Sequence, residues 1–331
     1  MDALRFPVLD WIQVEATSHC NSSCVYCPRS LYGKAWPGRH MPLDAFRRLL
    51  PYLGKIRYVH LQGWGEPFLS PDFFEMIRLS RMSGCRVGTT TNGMLLDPLM
   101  AEKLVESGID IVAFSLAGID GYHDVIRKGT QLKMVLSGLE NLRIARSRAG
   151  SSTPALHAAY MLFRSRLGDL GQIPEFLSRY GFDQGVISTL DFVPDSALQQ
   201  ESVVPENEAE YRDLRAQFDT AVVEGRSRDL PLDYHLPCPI GRYTGCAENA
   251  QRALFVASDG GISPCIFTSL NIPGASFWRH GRSQPWKCLT FGNIHEDRLA
   301  AVWYSKAYCE FRDSFASGNL HPPCRRCPKL L

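Results

Sequence analysis

The sequence predicts an α/β fold: a parallel sheet followed by a smaller, cysteine-rich second domain. Three observations carry this. Short β-branched runs alternate with helical stretches over the first 195 residues. Two consecutive helices end in Ser-Gly and run straight into a strand, at Ser83-Gly84 and Ser107-Gly108. Seven of the eleven cysteines fall after position 237, where the alternation has stopped.

The strand candidates are residues 12–15, 57–62, 86–91, 109–116, 155–162 and 186–192, each rich in β-branched or aromatic residues. Helices fill the gaps. Ser70-Pro71 opens one, with Ser70 as N-cap and Pro71 at the first helical position. Phe73, Met76 and Ile77 then follow at i, i+3, i+4, and Gly84 closes the helix. Asp97-Pro98 opens the next helix in the same way, and Gly108 ends it. Repeated strand–helix units predict a parallel sheet. Six strands are too few for an eight-unit barrel, so a partial barrel or an open sheet fits. In both, function gathers at the C-terminal ends of the strands.

A helix is expected over 207–223 with Asn207 as its N-cap. Pro231 and Pro237 mark a boundary, dividing the chain into 1–230 and 231–331. Beyond it, residues 252–257 and 262–267 flank the turn Ser258-Asp259-Gly260-Gly261, a hairpin signal. One more helix, 299–315, precedes Cys324-Arg-Arg-Cys327.

Bulk properties narrow the function. With 331 residues, there is room for one large domain of roughly 200–250 residues and a smaller one. A net charge of +2 supplies no field for nucleic acid or a membrane surface. No apolar run reaches the ~18–20 residues of a membrane span, and residues 1–10 do not read as a secretory signal. The expected location is the cytoplasm. There, cysteines serve as metal ligands more often than as disulfides.

The first cysteine group is Cys20-Asn-Ser-Ser-Cys24-Val-Tyr-Cys27, directly after the first strand. Three thiolates on one loop can hold three irons of a [4Fe–4S] cube and leave the fourth open for a ligand. After the second strand stands Gly63-Trp64-Gly65-Glu66-Pro67, where glycines permit close backbone approach and a carboxylate can accept from an ammonium. The third strand ends in Thr90-Thr91-Asn92-Gly93 and the fourth in Ser115-Leu116-Ala117-Gly118. Arg127 follows, and a guanidinium can grip a carboxylate with two bonds.

Together these motifs resemble the radical S-adenosylmethionine (radical SAM) superfamily. The resemblance implies a partial (β/α)6 TIM-like barrel whose cluster is held by Cys20, Cys24 and Cys27. It implies SAM contacts at Tyr26, Gly65, Glu66, Asn92, Ser115 and Arg127. Ala117 departs from the pattern, since family members often have Asp there. Cys246, Cys265, Cys324 and Cys327, with the hairpin turn between them, resemble the C-terminal SPASM or Twitch extension and imply an auxiliary [4Fe–4S] cluster. Cys238 is an alternative to Cys246. Cys288 and Cys309 are expected to be unligated and Cys85 to be a buried small hydrophobe. His60, His157, Tyr160 and Asp191 are placed to face the barrel lumen.

The implied reaction is reductive cleavage of SAM to a 5′-deoxyadenosyl radical that takes hydrogen from a substrate. The auxiliary cluster then accepts an electron or holds its domain together. An electron donor such as flavodoxin or ferredoxin is implied. The chain starts close to its first strand, with no room for a leader-recognition domain of ~80 residues. That tilts the substrate towards a small molecule, sugar- or aminocyclitol-like, or a peptide delivered by a separate protein. Two other classes fit the thiols: a zinc-stapled α/β binding module, and an iron–sulfur electron carrier without SAM chemistry.

Overall fold

The computed structural model describes residues 6–237, 245–279, 281–325 and 327–330. Its frame is a ten-stranded sheet in the order β12-β9-β8-β1-β2-β3-β4-β5-β6-β7. The strands β1 (Leu9–Val14), β2 (Ile56–Leu61), β3 (Arg86–Thr91), β4 (Ile111–Leu116), β5 (Ala155–Leu162) and β6 (Gln184–Thr189) are the six expected ones. Each is parallel to the next. β7 (Leu232–Tyr234) extends the series, parallel to β6. It has three residues, of which only Leu232 is buried, too short a run to stand out in the sequence.

Strand side chains alternate. In β5, Leu156, Ala158, Tyr160 and Leu162 are buried while their neighbours are half-buried. The buried set packs under the crossover helices. Helix Phe73–Met82 buries Phe73, Met76 and Ile77, the spacing read from the sequence. The half-buried set faces the other side of the sheet, where Gln13, Gln62, Thr90, Ser115 and Ser188 meet around a cavity.

Helix boundaries split between agreement and correction. Asp97 caps helix Pro98–Glu106 by accepting from Met100 N at 2.7 Å. Asn207 caps helix Glu208–Ser227 by accepting from Glu210 N at 3.0 Å. Ser70 is not an N-cap: the helix begins at Phe73 after Asp72, and the Ser70 hydroxyl is buried without a partner among the described residues. A short 3₁₀ turn, Pro67–Leu69, precedes it, so Pro71 falls in the connection. The helix expected over 299–315 is two, Leu299–Trp303 and Lys306–Ser317, with Ser305 capping the second.

The second half of the chain joins the same sheet. β8 (Ala253–Val256) is buried at all four residues and lies parallel to β1, pairing Trp11 with Ala253 and Val14 with Val256. β9 (Gly261–Ser263) returns antiparallel to β8, and β12 (Gly292–Asn293) adds to β9. Between them, β10 (Ser276–Arg279) and β11 (Arg282–Pro285) form a separate hairpin. Because β8 occupies the free edge of β1, the sheet does not close onto β7. No helix among the described residues is long and apolar enough to cross a membrane.

The contrast between Asp97, a cap, and Ser70, which is none, gives a direct test. Asp97→Ala should lower stability by about 1 kcal/mol, whereas Ser70→Ala should leave it within a few tenths. Chemical denaturation of both variants checks this; equal losses would contradict the cap assignment.

Candidate cofactor and substrate site

The loop after β1 carries the first three cysteines past the C-terminal end of the sheet. Its backbone is pinned by Ser23 N to Lys128 O at 2.7 Å and Val25 N to Ile126 O at 2.9 Å. Cys20, Cys24 and Cys27 then line one cavity of about 450 Å³. The Ser22 hydroxyl lies 3.1 Å from Cys20 Sγ and 3.7 Å from Cys24 Sγ. Burial, with Cys24 beside it, pushes the Cys27 thiol up to about 11. A buried thiolate of this kind is stabilised by ligation to a metal rather than by water. Among the described residues no three His, Cys, Asp or Glu side chains close around a point as a single-ion site would. Three thiols lining one open cavity fit the donor set of a [4Fe–4S] cube, which Cys20, Cys24 and Cys27 would hold.

The loop after β2 presses against this loop. A Cβ on Gly65 would lie 2.2 Å from Thr17 O and 2.5 Å from His19 O, so only glycine fits. Glu66 N donates to His19 O at 2.8 Å. Glu66 is 2% exposed. It accepts from Thr91 Oγ1 and from Asn92 N, both at 2.7 Å, which ties the β2 loop to the end of β3. Burial pushes its pKa up to about 7, against the pull of these two donors. Asn92 donates from Nδ2 to Asn21 Oδ1 at 2.7 Å and accepts at Oδ1 from Met94 N at 3.0 Å. Arg127 is buried and donates to the Tyr26 hydroxyl, while its Nε has no partner among the described residues. Tyr26, Gly65, Glu66, Asn92, Ser115 and Arg127 all line the cavity of the three cysteines. The six sequence candidates, scattered over about 100 residues of chain, thus meet the cysteine loop at one place.

A second cavity of about 410 Å³ is lined by Cys246, Cys265, Cys324 and Cys327. Its other walls are largely apolar, including Phe192, Phe311 and Phe315. Burial raises all four thiols, Cys324 to about 12. Four thiols around such a space are the donor set of a fully ligated [4Fe–4S] cluster. Cys288 is exposed and Cys309 sits beside Arg312; neither lines this space. Cys85 is buried against Leu53 O. Cys238 lies outside the described residues.

Of the lumen candidates, His60 and His157 lie half-buried on the cavity side of the sheet but line neither cavity, and Asp191 lines the first. Tyr160 borders that cavity, but it belongs to the buried set of β5, and its hydroxyl donates to Asp169 Oδ2 at 3.2 Å. His60 is within 3.2 Å of Thr90 Oγ1, and burial lowers its pKa to about 4, so it is neutral. Sequence reasoning missed three features. Glu15 ends the first strand as a buried carboxylate that accepts from Trp64 N at 2.8 Å. It also accepts from the N–H and hydroxyl of Ser258 at 3.0 and 2.7 Å. Lys329, two residues past Cys327, lies 2.6 Å from Asp191. Aromatic rings gather where the cavities meet: Phe192 and Phe267 stack at 4.3 Å, with Trp286 at 5.0 Å from Phe192. The one available signal was an acidic side chain directly after β1, at Glu15.

Comparison with known proteins agrees with this layout. The radical SAM superfamily model matches residues 14–157, and that of SPASM, an iron–sulfur cluster-binding domain, matches residues 246–328. A tungsten-containing aldehyde ferredoxin oxidoreductase cofactor-modifying protein of Pyrococcus furiosus is 26% identical over 326 residues, covering 96% of this chain and 87% of its own. The PqqA peptide cyclase of Gluconobacter oxydans is 24% identical over 321 residues, covering 95% and 81%. Among solved structures, Streptococcus suis SuiB bound to S-adenosylmethionine aligns with a TM-score of 0.68 at 17% identity, over 93% of this chain and 68% of that one. anSMEcpe with bound AdoMet and Cp18Cys peptide aligns at 0.67 and 18%, over 96% and 85%. At these identities the likeness to the structures concerns the fold. The chain carries a radical SAM domain and a C-terminal SPASM domain: it is a radical SAM enzyme whose cofactors are SAM and a [4Fe–4S] cluster, with auxiliary iron–sulfur binding in the SPASM domain.

Proposed function

We propose that the enzyme modifies a peptide, or a small molecule of similar size, held between two iron–sulfur sites. The observation that carries this reading is the pair of abutting cavities, one ringed by three cysteines and the SAM candidates, the other by four cysteines. Cys20, Cys24 and Cys27 hold the SAM-cleaving cluster. Cys246, Cys265, Cys324 and Cys327 hold one auxiliary [4Fe–4S] cluster. Residues 1–230 form the barrel domain and 231–331 the auxiliary one. When bound, the cluster and SAM supply reductive C–S cleavage and the hydrogen-atom abstraction that follows it.

The chain's own groups orient and enclose. Arg127, fixed by Tyr26 and with Nε unpartnered, meets the SAM carboxylate. Glu66, in its ionised form, accepts from the SAM ammonium while Thr91 and Asn92 hold it in place. Gly65 lets the β2 loop lie flat against the cluster loop. Ser115 and Asn92 offer polar contacts from the ends of β4 and β3. The aromatic rings between the cavities keep water away from a reactive intermediate.

Two relatives support a peptide: one is named for cyclising the peptide PqqA, and SuiB has been solved with its precursor peptide SuiA. Electrons would come from a flavodoxin- or ferredoxin-type donor, in the reducing cytoplasm where the thiols stay available as ligands.

Four outcomes test the reading. Anaerobically reconstituted protein should carry about eight irons per chain. Cys24→Ala should retain about half of them and form no 5′-deoxyadenosine; zinc in place of iron, or cleavage by the variant, would overturn it. Arg127→Ala should raise the KM for SAM by roughly 10- to 100-fold, the size of a lost charge-assisted pair. Binding of SAM should also strengthen as pH rises through about 7, because Glu66 is protonated and neutral below that value and ionised above it. Calorimetry across pH 6–8 should show the step in the native enzyme and lose it in Glu66→Gln; a step that survives in the variant belongs to another group.

A further inference from the structure

The two cavities have five residues in common: Phe192, Glu248, Phe267, Trp286 and Lys329. They form the wall between the sites. Asp191 joins them from the first cavity. None of these residues is needed to hold a cluster or SAM.

The charges in the wall are unevenly satisfied. Lys329 Nζ lies 2.6 Å from Asp191 Oδ2 and 5.5 Å from the centroid of the Phe267 ring. The other oxygen of Asp191 accepts from the Thr189 hydroxyl at 2.7 Å. Lysine and aspartate are therefore committed to each other. Glu248 is not. Its side chain is 23% exposed and lines the first cavity. Among the described residues it accepts no side-chain hydrogen bond, and its ionic contact, to Lys329, is 3.9 Å long.

A carboxylate largely removed from water and lacking donors gains by taking one from a ligand. The wall itself holds two carboxylates to one ammonium. Around it stand the rings of Phe192, Phe267 and Trp286, whose faces attract cations. An anionic substrate group would meet Glu248 head-on; a cationic one would meet a free acceptor and aromatic faces.

We propose that this wall is the docking point of the substrate and that Glu248 takes a cationic nitrogen, an ammonium or guanidinium. The group comes from a basic side chain of a peptide or from a small amine. The inference rests on the reading that substrate lies between the two sites. It adds which part of the substrate is gripped.

The test is calorimetric titration of the reconstituted holoenzyme with SAM present. The probes are Ac-Gly-Lys-Gly-NH2, its Nε-acetylated form, its glutamate counterpart, and n-butylamine. The lysine peptide should bind at least ~10-fold more tightly than the acetylated and glutamate peptides. Glu248→Gln should abolish most of that preference, and Glu248→Lys should reverse it in favour of glutamate. Butylamine as tight as the peptide assigns the group to a small amine; weaker butylamine assigns it to a peptide. Equal affinities in the native enzyme, no heat with either amine, or a preference untouched by Glu248→Gln would overturn the proposal. The native comparison decides even where a variant fails to fold. SAM cleavage to 5′-deoxyadenosine, assayed on the same preparation, separates this failure from failure of the SAM reading itself.

Discussion

The site depends on one buried carboxylate. Glu15 sits where β1 gives way to the cysteine loop, and its two oxygens reach two other segments. One takes the Trp64 N–H from the β2 loop; the other takes the N–H and hydroxyl of Ser258 from the β8–β9 turn. Those segments lead to Gly65 and Glu66 on one side and to Cys265 on the other. A Cβ on Gly63 would lie 2.3 Å from the Glu15 side chain, so the close approach is built around this residue. Burial raises its pKa, and the donors offset part of that cost. A carboxylate with three good donors is a rigid hub where an unpaired one would be a defect.

The thiols obey the same electrostatics with a different resolution. Burial pushes Cys27 to about 11 and Cys324 to about 12. Among the described residues neither set has enough hydrogen-bond donors to hold bare thiolates. A bound cluster would remove the proton instead, and part of its binding free energy would become folding free energy of the loops around it.

What the sequence disclosed follows from how local each feature is. Cys20, Cys24 and Cys27 share one loop, so their spacing displays their chemistry directly. The strands β3 and β5 have the ends expected of them because Gly84 and Pro154 stop the chain nearby. The caps Asp97 and Asn207 were legible; Ser70 misled because a 3₁₀ turn at Pro67–Leu69 moved the helix start. The wall between the cavities was illegible. Its residues come from positions 191, 192, 248, 267, 286 and 329, and only the fold gives them a common surface. The sequence shows β8 as half of a hairpin, but its partnership with β1 spans about 240 residues and leaves no local trace.

That partnership has a consequence for how the two halves can be separated. β1 carries hydrogen-bonding edges on both sides, one filled by β2 and the other by β8. Cutting the chain before β8 would strip the second edge bare along an apolar strand that holds Ile12 and Val14. Such an edge recruits whatever strand it meets, including that of a neighbouring molecule. On its own the barrel half would present an aggregation template, and in the intact chain β8 of the cysteine-rich half covers that edge.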